Sequence, residues 1–325
     1  MAKKIRKAPE CNKYDAVVIG NVSYEKNIDH LQNVEQREGG SIIYSVHSGI
    51  SNNFKLAVVT KLSKNNEYLL DSLTARNVDL FVKHCKNTTF TQNEILDLES
   101  EKIKTQCFCR ADPIYPNDIP NLDSYFYLFV GDFLGDIPLE TIKHCANRGY
   151  VALDANCFLK RINPNTNEVR DVYYEDFEVV ASYCDMIKLS MEQAELVTGE
   201  YDALSASKVI KSWGVKEILI IDKNIMHLYD ENNEYWEVAI KDFSKHGILY
   251  LGTTTFIAYV CSRITSDAQM SLFTAGSTAM YKLSRPGPAR CSRAEINFHL
   301  ETFYYTVEVL RNNLKPFDCP DEDIN

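Results

Sequence analysis

Residues 248–258 read ILYLGTTTFIA. A glycine and three threonines ahead of an apolar run mark a place where a loop tips into a helix. Such junctions hold anions, because free backbone N–H groups and the helix dipole both favour negative charge there. The chemistry on offer is phosphate binding, with Leu251, Gly252, Thr253 and Thr254 as its lining. A second polar pair, Asp154 and Asn156, follows the apolar run YVAL and so stands at the end of a buried strand. For that pair, ligand contact and a plain chain turn are both open readings. Metal chemistry has only a weak signal: the chain holds 10 cysteines but no CxxC, and no cysteine pair lies near a histidine pair at zinc-finger spacing. Cys107 and Cys109 would share one strand face, and the cysteines read as buried and reduced in a cytoplasmic protein.

The elements that must position these residues follow an α/β rhythm. YDAVVIG (14–20) and KLAVVTKLS (55–63) are buried strands flanking EGGSIIYSVHSGI, a helix opened by two glycines. SYFYLFVGD, YVALDAN, DMIKLS and EILIID are further strands, separated by helical segments, and HLYDENNEYWEVA is a hairpin around an Asn-rich turn. TFIAYVCSRI and AQMSLFTAGSTAMYKLS read as two closing helices. Such alternation predicts a mostly parallel sheet covered on both faces, with ligands beyond the carboxyl ends of its strands. Chemistry is therefore expected in the loops after Ile19, Leu153, Ile187 and Ile221. Residues 78–113 differ: their alternating, Thr-rich segments predict a small antiparallel excursion, a lid.

The chain has 325 residues and a formal net charge of −10, enough length for one large α/β domain and too acidic for a broad nucleic-acid surface. The basic start MAKKIRK is followed by no apolar signal core, and no apolar run is long enough to span a bilayer. The expected plan is an arm over 1–13, a domain over 14–310 and an acidic tail over 311–325.

From Tyr14 to about Ile296, the order and spacing of EGGSIIYS, VVTKL, RADPIYPNDIP, GDIPLE, VALDAN, IKLSMEQAELVTG, TTTFIAYVCSR and AGSTAMYKLSRPGP resemble the PfkB/ribokinase family of sugar and nucleoside kinases. The resemblance implies a three-layer α/β/α domain and a small antiparallel β lid drawn from about 21–37 and 79–112. It implies ATP and Mg²⁺ as cofactors of an active enzyme, and a sugar, nucleoside or inositol as acceptor. Gly39 and Gly40 match the family's GG pair, and Glu25 stands where the family commonly has an acceptor-binding Asp. The lid edge, including 88–96, is a candidate contact for a second copy or another protein.

The phosphate side departs from the family pattern. The NxxE that supports the metal's waters is represented by Ser190 and Gln193, a neutral amide in place of a carboxylate. The glycine-rich nucleotide loop is represented by IDKNIM, with Asp222 in a place that repels phosphate. In the signature motif the catalytic base becomes Thr254, and Leu251 takes the first glycine's place. A hydroxyl is no general base without a partner, and leucine blocks the close approach that glycine allows. The expectation is a kinase-fold protein with lost or strongly weakened phosphotransfer, serving as a binding or scaffold protein. The alternative is an active sugar, nucleoside or inositol kinase with non-standard catalytic residues. Thr253 or Thr254 is expected to cap the helix that follows, and His246 is expected on the surface.

Overall fold

The computed structural model describes residues 13–76, 78–240 and 245–304. All but the last residue of the basic arm, the acidic tail and Asp242 lie outside the described residues. The strands are β1 (Tyr14–Ile19), β2 (Ser23–Ile28), β3 (Val34–Gly39), β4 (Leu56–Leu62), β5 (Asp79–His84), β6 (Thr89–Asp97), β7 (Lys102–Cys109) and β8 (Ser124–Phe129). They continue with β9 (Tyr150–Asp154), β10 (Lys160–Ile162), β11 (Val169–Asp171), β12 (Met186–Ser190), β13 (Glu217–Asp222), β14 (Ile225–Tyr229) and β15 (Tyr235–Ala239). The α-helices are α1 (Ser41–Ser51), α2 (Asp71–Thr74), α3 (Leu139–Ala146), α4 (Asn156–Leu159) and α5 (Phe177–Ala181). After them come α6 (Met191–Thr198), α7 (Ala203–Ser212), α8 (Leu251–Ser262), α9 (Ala268–Leu283) and α10 (Arg293–His299).

Nine strands form one sheet in the order β15-β14-β13-β12-β9-β8-β1-β4-β5, parallel except for the β13–β14–β15 meander at one edge. Its apolar runs are buried on both faces because successive side chains point opposite ways. Val18, Val58 and Leu128 pack with Phe256, Val260 and Leu272 of α8 and α9. Their neighbours Val17, Val59 and Phe129 pack with Ile142, Val180 and Ile210 of α3, α5 and α7. The result is the expected three-layer α/β/α domain.

The lid is a four-stranded sheet in the order β3-β2-β6-β7. It is mixed rather than purely antiparallel: β2 and β6 run parallel because they come from separate crossings between body and lid. β5, expected in the lid, instead pairs parallel with β4 as the edge of the main sheet. Its side chains are half-buried or exposed, so an edge strand of the body reads in sequence like a lid strand. The inner face of the lid is polar. Alternation along β6 buries Thr89, Thr91 and Asn93, and β2 buries Glu25 beside them.

Candidate active site

The carboxyl ends of the parallel strands, the inner face of the lid and the start of α8 enclose a cleft of 490 Å³. Six of the residues singled out in the sequence line it: Asn156, Ser190, Gln193, Leu251, Gly252 and Thr253. Asp154 lies fully buried just beneath, and Glu25, on the inner face of the lid, makes a buried contact with Gly40, which donates its N–H to Glu25 Oε1 at 2.7 Å. A Cβ on Gly39 would come within 1.9 Å of Glu25 Cδ, so only glycine lets the backbone lie over this carboxylate. Asp222 ends β13 outside the cleft wall, while Lys223, in the left-handed region at φ 49°, reaches the cleft from the tight β13–β14 turn.

The helix start differs from the expectation. α8 begins at Leu251, earlier than the threonines suggest, and its N-cap is Tyr250 in the left-handed region without a side-chain cap bond. Thr253 and Thr254 are inside the helix, so neither caps it. Thr254 faces away from the cleft: it is fully buried, its carbonyl accepts from Ser48 Oγ at 2.7 Å, and its own hydroxyl has no partner. Thr253 faces inward, donating to Asp154 Oδ2 at 2.8 Å. His246 is exposed as expected.

Two charged residues of this site carry no motif. Lys188, in the middle of β12, is buried and its ammonium lies 3.1 Å from Asp154 Oδ1. A Cβ on Gly252 would fall 2.9 Å from that ammonium, so Lys188 sits directly against the first turn of α8. A cation at a helix N-terminus is unfavourable by itself. The Asp154 carboxylate compensates it, so the paired ammonium and the free N–H groups of the helix start stand together at the cleft.

Asp132 is the second. It follows β8 in the loop Val130–Ile137, which Asp136 folds by accepting from the N–H groups of Asp132 at 3.1 Å and Phe133 at 3.0 Å. Asp132 is 8% exposed, lines the cleft, and accepts from both the N–H and the hydroxyl of Ser41 at the start of α1. Burial, reinforced by the charges of Asp136 and Glu25 and opposed by the Ser41 bonds, lifts its carboxyl to about 7. Ser41 Oγ lies 3.5 Å from Thr253 Oγ1, so one polar chain joins Asp132, Ser41, Thr253, Asp154 and Lys188.

Ser190 and Gln193 form a capping box on α6, with Gln193 N–H donating to Ser190 Oγ at 3.2 Å and Ser190 N–H to Gln193 Oε1 at 3.1 Å. The Gln193 amide also donates to Asn156 Oδ1 and Asp171 Oδ1, both at 2.9 Å. The carboxylate absent at position 193 is thus offset by Asp171 at its side, and Asp171 and Glu192 both line the cleft. Among the described residues no group of three or more His, Cys, Asp or Glu could hold a bare metal ion, and no helix is long and apolar enough to cross a membrane.

No family model matches the sequence, and no curated protein matches it. The structure has close counterparts among solved structures. A pyrophosphate-dependent kinase in the ribokinase family, complexed with a pyrophosphate analogue and myo-inositol, superposes with a TM-score of 0.78 over 87% of this chain and 99% of that one, at 20% identity. The ribokinase of Arabidopsis thaliana, complexed with ribose and ATP, gives 0.71 over 89% and 99% at 13% identity. An E. coli protein assigned as a ribokinase II, complexed with ATP and Mg²⁺, gives 0.69 over 89% and 99% at 15% identity. The fold is the α/β ribokinase-like fold, with its large mostly parallel sheet and small mixed lid.

Proposed function

We propose that this chain is a small-molecule kinase that transfers a phosphoryl group to a hydroxyl of a polyol, a sugar or an inositol, using a relocated set of catalytic residues. The observation that carries the reading is Asp132, a carboxyl buried at the edge of the cleft with an ionisation near neutrality. A base is most effective when its ionisation lies near the working pH. Asp132 takes the acceptor's hydroxyl proton, and the oxygen then displaces the leaving phosphate from the transferred phosphoryl group. The charge on that group falls between Lys188 and the start of α8, where preorganised positive potential stabilises it. Lys160, Arg170 and Lys223 line the same cleft and suit a polyphosphate donor. Asp171 and Glu192 are the carboxylates that would face the waters of a Mg²⁺ ion, which supplies charge neutralisation on the donor when bound.

The solved relative with pyrophosphate analogue and myo-inositol supports testing two donors. Incubation with Mg·ATP or Mg·pyrophosphate and a panel including myo-inositol and ribose, followed by ³¹P NMR, is expected to yield a phosphomonoester with one donor. Asp132→Asn is expected to slow its formation on the order of 10²–10⁴-fold. A binding or scaffold role is the second reading, favoured by Thr254, which holds the family's base position with a buried, unpartnered hydroxyl. Absence of product with either donor, together with absence of micromolar donor binding by calorimetry, decides for that second reading.

A further inference from the structure

Tyr250 lies between the cleft and the Glu25 compartment. It lines the cleft, whereas Glu25, Gly39 and Gly40 do not. Its phenol donates to the buried Glu25 carboxylate, and its ring stacks on Tyr44 with centroids 4.4 Å apart and planes 25° apart. The backbone holding it there is strained: φ 58° and ψ 26° at a bulky aromatic residue is a conformation ordinarily left to glycine or asparagine. Beside Glu25, two buried polar groups stand without partners. Thr91, directly cross-strand from Glu25 in the lid, and Tyr44, whose hydroxyl is close enough to feel the Glu25 charge, both carry buried oxygens with no hydrogen bond. Buried polar atoms are seldom left so, and two beside one carboxylate mark a place where a ligand supplies the missing partners.

We propose that Tyr250 is a gate and specificity determinant: its phenol stands in for an acceptor hydroxyl on Glu25, and a small polyhydroxylated ring enters the compartment by displacing it. The ligand's hydroxyls replace the phenol on Glu25 and reach Thr91 and Tyr44, while the released Tyr250 leaves the left-handed conformation. An apolar or monohydroxylated ligand of the same size leaves those oxygens unpaired and is rejected. The inference rests on the kinase reading for the identity of the ligand, but not for the existence of the gate.

Carbodiimide coupling of Glu25 to an amine, followed by peptide mass spectrometry on the full chain, tests both parts. In wild type Glu25 is expected to stay unmodified, because its carboxylate is fully buried. Tyr250→Gly, which suits the backbone conformation, is expected to label at least ~10-fold faster, and myo-inositol or ribose at millimolar concentration is expected to protect it. Tyr250→Phe keeps the ring and removes the bond to Glu25, and is expected to label at an intermediate rate. Circular dichroism of each variant establishes that it is folded. Equal labelling of wild type and both folded variants overturns the gate. Faster labelling that no polyol suppresses upholds the gate and overturns the polyol assignment, while the kinase reading stands or falls separately on the ³¹P NMR assay.

Discussion

Asp132→Asn tests the centre of the proposed chemistry through stability before any substrate is known. An aspartate ionises near 3.8 in an unfolded chain and here at about 7. The folded protein keeps its proton over a range in which the unfolded chain has released it. Stability from this group is therefore full below pH ~3.8, is lost progressively as pH rises, and is gone above pH ~7. At about 1.4 kcal/mol per pH unit, raising the pH from about 5.5 to about 7 costs about 2 kcal/mol, and going on to about 8.5 costs nothing more. Lys282 acts in the opposite sense. Burial, with the charge of Arg37 adding to it, lowers its ammonium to about 7, so the protein gains stability between there and the unfolded value of 10.5. The gain between pH ~7 and ~8.5 is again about 2 kcal/mol, so the wild-type curve alone falls to a minimum near pH ~7 and recovers by pH ~8.5. The difference between wild type and Asp132→Asn isolates the carboxyl, because Lys282 is common to both. Urea unfolding at several pH values is expected to show the variant gaining about 2 kcal/mol on wild type between pH ~5.5 and ~7.5, then a constant gap. A difference curve flat across that range refutes the near-neutral ionisation, and with it the choice of Asp132 as base. In turnover, the same variant is expected to lose on the order of 10²–10⁴ in rate, and wild-type activity to rise with pH through about 7.

Other substitutions separate roles that sequence alone runs together. Lys188→Met leaves Asp154 buried without its cation and is expected to cost about 3–5 kcal/mol in urea unfolding, with donor affinity by calorimetry falling as well. Thr254→Val removes a buried hydroxyl that has no partner and is expected to be neutral or to stabilise by up to about 1 kcal/mol. Thr254→Asp, which would restore the family's residue, places a carboxylate in that buried site and is expected to destabilise by several kcal/mol without raising activity. A stable, more active Thr254→Asp variant would mean that this side chain reaches the cleft after all. Lys282→Met is expected to abolish the rise in stability above pH ~7, and loses the bond from its ammonium to the Gly247 carbonyl.

The fold was legible because its signal is local. A strand buried on both faces must be an unbroken apolar run, so YDAVVI, SYFYLF and EILIID announce themselves. Where burial is partial the signal fades, and β5 was read as lid because an edge strand alternates as a lid strand does. The site is less legible because its groups meet only in three dimensions. The loop after β8 gives no local signal of its own, since GD after a strand has the composition of an ordinary turn. Asp132 acquires its character from burial beside Asp136 and Glu25, against the bonds from Ser41, 91 residues away in the chain. Lys188 was hidden inside IKLS, where only strand alternation turns it away from Ile187 and toward the start of α8. Tyr250 defied expectation most, because nothing local asks an aromatic residue to adopt a left-handed backbone. What holds it there is Glu25 and Tyr44, one in the lid and one in α1. The helix start carries Thr254 where the family pattern has a carboxylate. Carboxylates at the same cleft, Asp132 from the loop after β8 and Asp171 from β11, leave no trace in that pattern, because a motif records residues along a chain and a cleft collects them across a sheet.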